Sequence, residues 1–398
     1  MGLYKQIRFP LQKNKKACIF LLAIGFLLMG NDAIAQQARH QIRGTILNAR
    51  DQASLIGATV YLNNTTIGTT TSDKGTFILP EVPSGTYELI VSYVGFKTQS
   101  IPINTQTLTS DLAIRLQPAS NQLKMITVKP TKQKNIYFRI FEKYFLGHYA
   151  YNVERNAGQC KIENPEVLSY DFDDADSILR VSATKPLIII NNNLGYKIYY
   201  ALQYFDFNLR SLHLQYFGYC HFDTLPVKNN QQKKKWERDR YVIYLRSMRS
   251  FMKALRDKQL TENGYMVSKF VKSNTDTLHS FSTAMLNPFS DYYKNLHYHK
   301  GDSLYPGMLP YDSLISVSPD GLHVTLNFNN SLYIVSNKIG VRSKSLSAYE
   351  FFPSIITLTK PHVEIDESGV LSDPMGITIE SIWAYRQISS SDYHEPER

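Results

Sequence analysis

The sequence predicts a mainly β chain: an N-terminal β-sandwich of the seven-stranded type, then a larger α+β domain with an antiparallel sheet and at least two helices. Three observations carry this expectation. Short runs between Arg39 and Leu116 alternate apolar and polar residues, turn residues recur between those runs, and two later segments carry apolar residues at helical spacing.

The first 35 residues stand apart. Lys5, Arg8, Lys13, Lys15 and Lys16 precede the apolar run "ACIFLLAIGFLLM", and Ala33-Ile34-Ala35 offers small residues for cleavage before Gln36. The run falls short of the ~20 apolar residues that span a bilayer, so residues 1–35 read as a cleaved export signal. Cys18 lies at the start of the run, the wrong place for a lipid-modified N-terminus. No later segment reaches transmembrane length. The expected location is the periplasm or the outer-membrane or cell surface.

The chain has 398 residues, 43% hydrophobic and 20% charged, enough for two domains with cores of their own. Loss of residues 1–35 takes away five basic and one acidic side chain and lowers the formal net charge from +10 to +6. No basic stripe interleaved with aromatics accompanies this mild excess, so nucleic acid is not an expected partner. Cys160 and Cys220 remain after cleavage. An oxidising compartment permits a bridge between them, but spacing alone does not bring their Cα atoms within reach, and two buried free thiols is the simpler expectation.

In residues 36–118, "GATVYLNN" places Val60 and Leu62 on one face, and "GTFIL" places Phe77 with Leu79. "TYELIVSYV" aligns Tyr87, Leu89, Val91 and Tyr93 opposite polar Glu88 and Ser92. Asp73-Lys74-Gly75 and Pro83-Ser84-Gly85 separate these runs, with Asp or Pro opening each turn and Gly free to take positive φ. Gly95 marks a further turn. Strands at such short spacing argue for a small antiparallel sandwich.

"GATV", "TTTSDKGTF", "VPSGTYEL" and "SYVGF" together resemble the carboxypeptidase regulatory-like domain. That transthyretin-like sandwich is common in exported Bacteroidetes proteins and at the N-terminus of TonB-dependent receptors. The resemblance implies a non-catalytic module, because in peptidases the sandwich is an appendage to a separate zinc domain. Only about 260 residues follow residue 135 here, too few for a receptor's plug and barrel.

Residues 119–135 read as a polar connector. Beyond it, "NIYFRIFEKYFLG" carries Tyr137, Ile140 and Tyr144 at helical spacing, with Gly147 as a stop. Strand-like runs "SILRVSATKPLIII", "GYKIYYALQYFDF" and "SLHLQYFGYCHF" follow. One helix is then expected on Trp236, Arg240, Tyr244, Met248, Met252 and Leu255, ended by Glu262-Asn263-Gly264. The tail returns to strands, with a turn at Asn329-Asn330 joining "HVTLNF" to "SLYIVS". This arrangement of residues 136–398 is similar to an uncharacterised region that accompanies the sandwich in Bacteroidetes proteins, which implies no known reaction.

Candidate chemistry is sparse. The His and Glu three residues apart that a zinc carboxypeptidase uses do not occur: His221, for instance, is followed by Thr224 and His362 by Ile365. His297 and His299 would share one face of a strand and are candidate metal ligands, the alternative being a solvated pair. Asp171, Asp173, Asp174 and Asp176 have the look of a calcium loop but lack its glycine, and a solvated hairpin turn competes with that reading. Ser182 and Lys185 match an SxxK spacing, yet in an extended run they stand ~10 Å apart and not one helical turn. Lys233, Lys234, Lys235, Arg238 and Arg240 could meet an anionic surface or simply be solvated. The tyrosines of "YKIYYALQYF" suit sheet packing or a sugar face. The expectation is an exported, non-catalytic envelope protein without cofactor, binding an envelope protein or glycan, of open oligomeric state. The alternative is a hydrolase of unrecognised type with its site in residues 136–398.

Overall fold

The computed structural model describes residues 39–119, 131–146, 160–210, 214–245, 247–272, 303–321, 323–336, 354–367, 369–373 and 376–381. Seven strands build the N-terminal unit: β1 (Arg39–Asn48), β2 (Thr59–Leu62), β3 (Gly68–Thr70), β4 (Thr76–Pro83), β5 (Thr86–Ser92), β6 (Gln99–Asn104) and β7 (Leu112–Leu116). They form two sheets, ordered β4-β1-β7 and β3-β2-β5-β6. Ile42, Ile46, Phe77 and Leu79 from the first sheet meet Val60, Leu62, Leu89 and Val91 from the second in one core. Period-two alternation therefore dictates the two inner faces. The turn before β4 closes with Gly75 at φ +72°, where a Cβ would also press on Ser54 at 2.9 Å.

One expectation for this unit needs correcting. The sandwich is not wholly antiparallel, because β7 runs parallel to β1 from Gly44↔Leu112 to Asn48↔Leu116. Between β4 and β7 the chain crosses to the opposite sheet for β5 and β6, and such a crossover lets two neighbours run in the same direction.

The second unit contains α1 (Thr131–Leu146), β8 (Cys160–Ile162), β9 (Leu168–Asp173), β10 (Ile178–Ala183), β11 (Leu187–Asn191), β12 (Tyr196–Asn208) and β13 (Leu214–Thr224). The sheet order is β8-β11-β12-β10-β9, with β13 on the other side of β12. The 13-residue β12 organises it: β11 pairs with Tyr196–Tyr200, β10 with Asp206–Asn208, and β13 with nearly the whole opposite side. The single run expected across Ser177–Ile190 is two strands, parted at Pro186, which has no N–H to give a ladder.

Helix α1 begins inside the segment read as connector. Its fully buried residues are Phe141, Phe145 and Leu146, while Tyr137, Ile140 and Tyr144 flank them. Phe141 meets Phe205 edge-on at 4.8 Å and Phe145 meets Tyr200 edge-on at 5.1 Å, so an i, i+4 pair fastens the helix to β12. Gly147, read as its stop, lies outside the described residues.

The long helix expected after Lys235 is two helices, α2 (Asn230–Leu245) and α3 (Met248–Arg256). Ser247 breaks them: it has extended backbone (ψ 157°), and its Oγ accepts the Ser250 N–H at 3.1 Å as an N-cap. Helix α3 ends at Arg256, ahead of Glu262-Asn263-Gly264, where Gly264 instead turns the chain into the next strand.

The remaining strands are β14 (Tyr265–Val271), β15 (Ser303–Tyr305), β16 (Ile315–Val317), β17 (Val324–Leu326), β18 (Ser331–Ser336), β19 (Ser354–Leu358), β20 (Glu364–Ile365) and β21 (Ile377–Ser381). They make antiparallel sheets ordered β15-β14-β18-β19-β21 and β16-β17-β20. Asn330 does turn, at φ +70°, but it carries the chain from one sheet to the other and forms no hairpin. Phe251, Met252 and Leu255 of α3 pack with Tyr265, Val267, Leu332 and Ile356 in a core separate from that under α1. The span read as one domain from 136 to 398 thus holds two cores. Among the described residues no helix is long and apolar enough to cross a membrane.

Candidate functional site at the junction of the sandwich and second sheet

The turn between β2 and β3 reaches out of the sandwich. Asn64 adopts φ +60°, the Thr65 hydroxyl donates to Leu62 O at 2.8 Å, and Thr65 Oγ1 accepts the Ile67 N–H at 3.0 Å. So shaped, the turn lies along the edge of β13. Asn64 N–H donates to Cys220 O at 2.9 Å, and Phe222 N–H donates to Thr65 O at 3.0 Å. Asn63 Oδ1 accepts the Cys220 N–H at 2.9 Å. Three backbone groups that a sheet edge would leave open are occupied by the sandwich.

Asn63 is itself held from behind. Its side-chain amide donates to Glu88 Oε2 at 2.6 Å, its backbone N–H donates to Glu88 O at 2.9 Å, and the other Glu88 carboxylate oxygen accepts from the Ser100 hydroxyl. The Cys220 thiol donates to Asn64 Oδ1 at 2.9 Å. Tyr219 stands beside Glu88 and Ser100, and its phenol is held above its ordinary range, mainly by burial and then by the Glu88 charge.

The outer face of β5 explains the fit. Beside the polar Glu88 and Ser92, this face carries Ile90, fully buried and paired with Tyr61 of β2, itself 4% exposed. An apolar residue at a position that should face water marks a covered surface, and the cover is β13. Tyr61 and His221 rings lie 5.4 Å apart, and His221 stacks on Tyr199 at 6.2 Å. Burial drives the Tyr61 phenol well above its usual range, with the neighbouring Cys220 adding to it. His221 Nε2 lies 3.3 Å from Asp223 Oδ1. These residues were missed in the sequence, although Ile90 on the polar side of "TYELIVSYV" was a legible signal.

Beyond the junction the same face of β12 and β13 continues as half-buried rings. Tyr204 lies 6.4 Å from Phe217, and Phe217 meets Tyr219 edge-on at 5.0 Å. The β-bulge between Leu202 and Tyr204 brings Tyr204 onto this face while Phe205 stays in the core. Burial raises the Tyr204 phenol, followed by the charges of Asp206 and Asp373.

The residues singled out in the sequence are mostly scattered from this site. Cys160 and Cys220 are both buried thiols. The path β8-β11-β12-β13 puts three strand spacings, about 14 Å, between their strands, so no bridge joins them. Cys220 nevertheless belongs to the junction. Asp171, Asp173, Asp174 and Asp176 occupy the β9–β10 hairpin. There Asp173 Oδ1 accepts the N–H groups of Ala175 and Asp176 and lies near Arg180, which also faces Asp206 at 3.9 Å. Among the described residues no set of three or more His, Cys, Asp or Glu side chains is arranged to hold a metal ion. His297 and His299 lie outside the described residues.

Asp73, Gly75, Pro83, Gly85 and Gly95 all sit in or beside sandwich turns, Pro83 as the last residue of β4. Ser182 ends on a strand and Lys185 lies in the following turn. The basic run of α2 is largely matched internally. Lys233 faces Glu237 at 3.8 Å, and Lys235 and Arg238 face Asp239, each at 2.9 Å. Arg240 turns inward, 3.7 Å over the Tyr196 ring, and donates to Leu194 O and Gly195 O.

Comparison with known proteins bears on the sandwich. No curated protein matches the sequence. A streptococcal ancillary pilin is 16% identical over 21% of this chain, with a TM-score of 0.18, and the match spans 31% of the pilin's length. A protein of unknown function from Bacteroides fragilis is 12% identical over 82% of this chain and 90% of its own, with a TM-score of 0.17. At these scores neither bears on function. The family model that matches, over residues 42–128, is the CarboxypepD_reg-like domain, a regulatory and non-catalytic fold. Its match covers the two packed sheets and the turn at Asn63–Thr65, and the N-terminal unit of this chain is a CarboxypepD_reg-like domain.

Proposed function

We propose that the chain is a non-catalytic, exported protein of a Bacteroidetes-type cell envelope, in which the sandwich serves as a rigid spacer and the units beyond it meet an envelope protein or glycan. The observation that supports this most directly is the junction. A sandwich whose turn completes the edge of β13 through two backbone bonds and the Asn63 side chain holds its neighbour at a set angle, as a spacer must. The half-buried rings of Tyr204, Phe217 and Tyr219 beside it offer flat apolar area with polar tips, the chemistry that protein and sugar faces use.

Affinity capture with the full chain from a native envelope fraction, run beside a panel of envelope glycans, tests the reading. The expected result is a retained protein or glycan that is lost from the Tyr204→Ala/Phe217→Ala double variant. Turnover on a hydrolase panel without any retained partner would overturn it.

A further inference from the structure

We propose that the junction is an acid-released latch, in which charging His221 frees the sandwich from β13. The inference is independent of what the chain binds. His221 occupies the centre of the contact: Tyr61 and Tyr199 flank its ring, and β3 approaches so closely that a Cβ on Gly68 would lie 2.8 Å from Cε1. Backbone bonds from the turn grip the residues on either side of it, Cys220 and Phe222. Any rearrangement of this one side chain is therefore felt by both partners.

The surroundings suit a neutral ring. Nε2 has Asp223 as partner at 3.3 Å, whereas Nδ1 is buried and, among the described residues, has no hydrogen-bond partner. As the acceptor nitrogen of a neutral imidazole, Nδ1 tolerates that position; as an N–H of imidazolium it would need an acceptor. The Thr65 carbonyl, which also accepts the Phe222 N–H at 3.0 Å, pulls towards the charged form, a pull outweighed by burial of the ring. Asp223 pulls the same way; its register partner on β12 is Lys197, whose ammonium lies 5.2 Å over the Tyr199 ring. Glu88 on β5 has both carboxylate oxygens engaged by Asn63 and Ser100. Among the described residues, Tyr61, Tyr199, Tyr219 and the Cys220 thiol are the other titratable groups at the junction. Burial holds the imidazole below its ordinary value against the opposing pull of Asp223 and Thr65. A depressed histidine stabilises the closed form while neutral, and that contribution fades as pH falls below the ordinary imidazole value and through the depressed one.

The test uses spin labels on the full chain at Val94→Cys, on the 83% exposed tip of the sandwich, and Val227→Cys, 48% exposed beyond β13. The inter-label distance is measured from pH 8 to pH 5. Lengthening on acidification, abolished by His221→Gln, is the expected result, with Gly68→Ala open at every pH as the reference for the released state. An unchanged distance down to pH 5, or the same lengthening in His221→Gln, would overturn the latch.

Discussion

The Thr65 carbonyl in the sandwich accepts the Phe222 N–H of β13 at 3.0 Å, although 157 positions separate Asn63 and Cys220 beside them. That bond joins two units whose cores are otherwise separate, and it closes a sheet edge that would be open to other chains.

Replacing Asn63 with Ala removes the acceptor of the Cys220 N–H and one partner of Glu88 at once. The expected loss is about 1–3 kcal/mol, the cost of leaving a buried polar group unmet. Urea unfolding of the variant beside Glu88→Gln measures it. Stability equal to the parent would mean that water satisfies the edge as well as the sandwich does.

Gly195 holds φ +67° between β11 and β12, and a Cβ there would come within 2.2 Å of the Trp236 ring. Trp236 is anchored by its Nε1–H to Asn192 O at 2.9 Å, so it has little freedom to retreat. Gly195→Ala should therefore cost about 2–4 kcal/mol, combining left-handed backbone strain with overpacking. A thermal melt within error of the parent would refute this account of the α2 clamp.

Cys160 and Cys220 should resist thiol reagents at pH 8 in the native chain and react fully in denaturant. Burial pushes the Cys160 thiol up to about 12, so almost none of it is the reactive thiolate. Peptide mapping after alkylation reads both sites. A Cys160–Cys220 disulfide in the mapped peptides would contradict the strand order.

Asp173 should shape the acid limb of stability. Its carboxyl is held below the usual range, first by the Asp176 N–H, then further by Ala175 N–H and Arg180. A depressed carboxylate stabilises the fold above its unfolded value of about 3.9, and this contribution disappears as pH falls through the depressed value. Asp173→Asn should lower stability modestly at pH 7, where the parent carries this contribution, and flatten the profile below about pH 4, so that the two proteins converge in acid. A parallel fall in both proteins through the acid range would place the effect elsewhere.

The sandwich was legible because its alternation and its turns say the same thing: Leu89 and Val91 must share a face, and Gly75 must take positive φ. The α2–α3 break was harder, since Met248 and Met252 continue the apolar period of Trp236 and Tyr244 while Ser247 caps a new helix. A cap is visible in sequence only where the periodicity also stops, and here it does not. The Asn329-Asn330 turn misled for a related reason: local chemistry specifies the bend at Asn330 but not which sheets the flanking strands join.

By itself, then, the sequence determined the alternating strands and core of the sandwich and its glycine turns, all of which arise from interactions within a few residues or between alternate positions of one strand. The partner of Ile90, the burial of Tyr61, the separation of Cys160 from Cys220 and the place of His221 were decided only by the tertiary structure. Each depends on which strand edge meets which turn across more than 100 residues, and a hydrogen bond of that reach leaves no period in the chain that makes it.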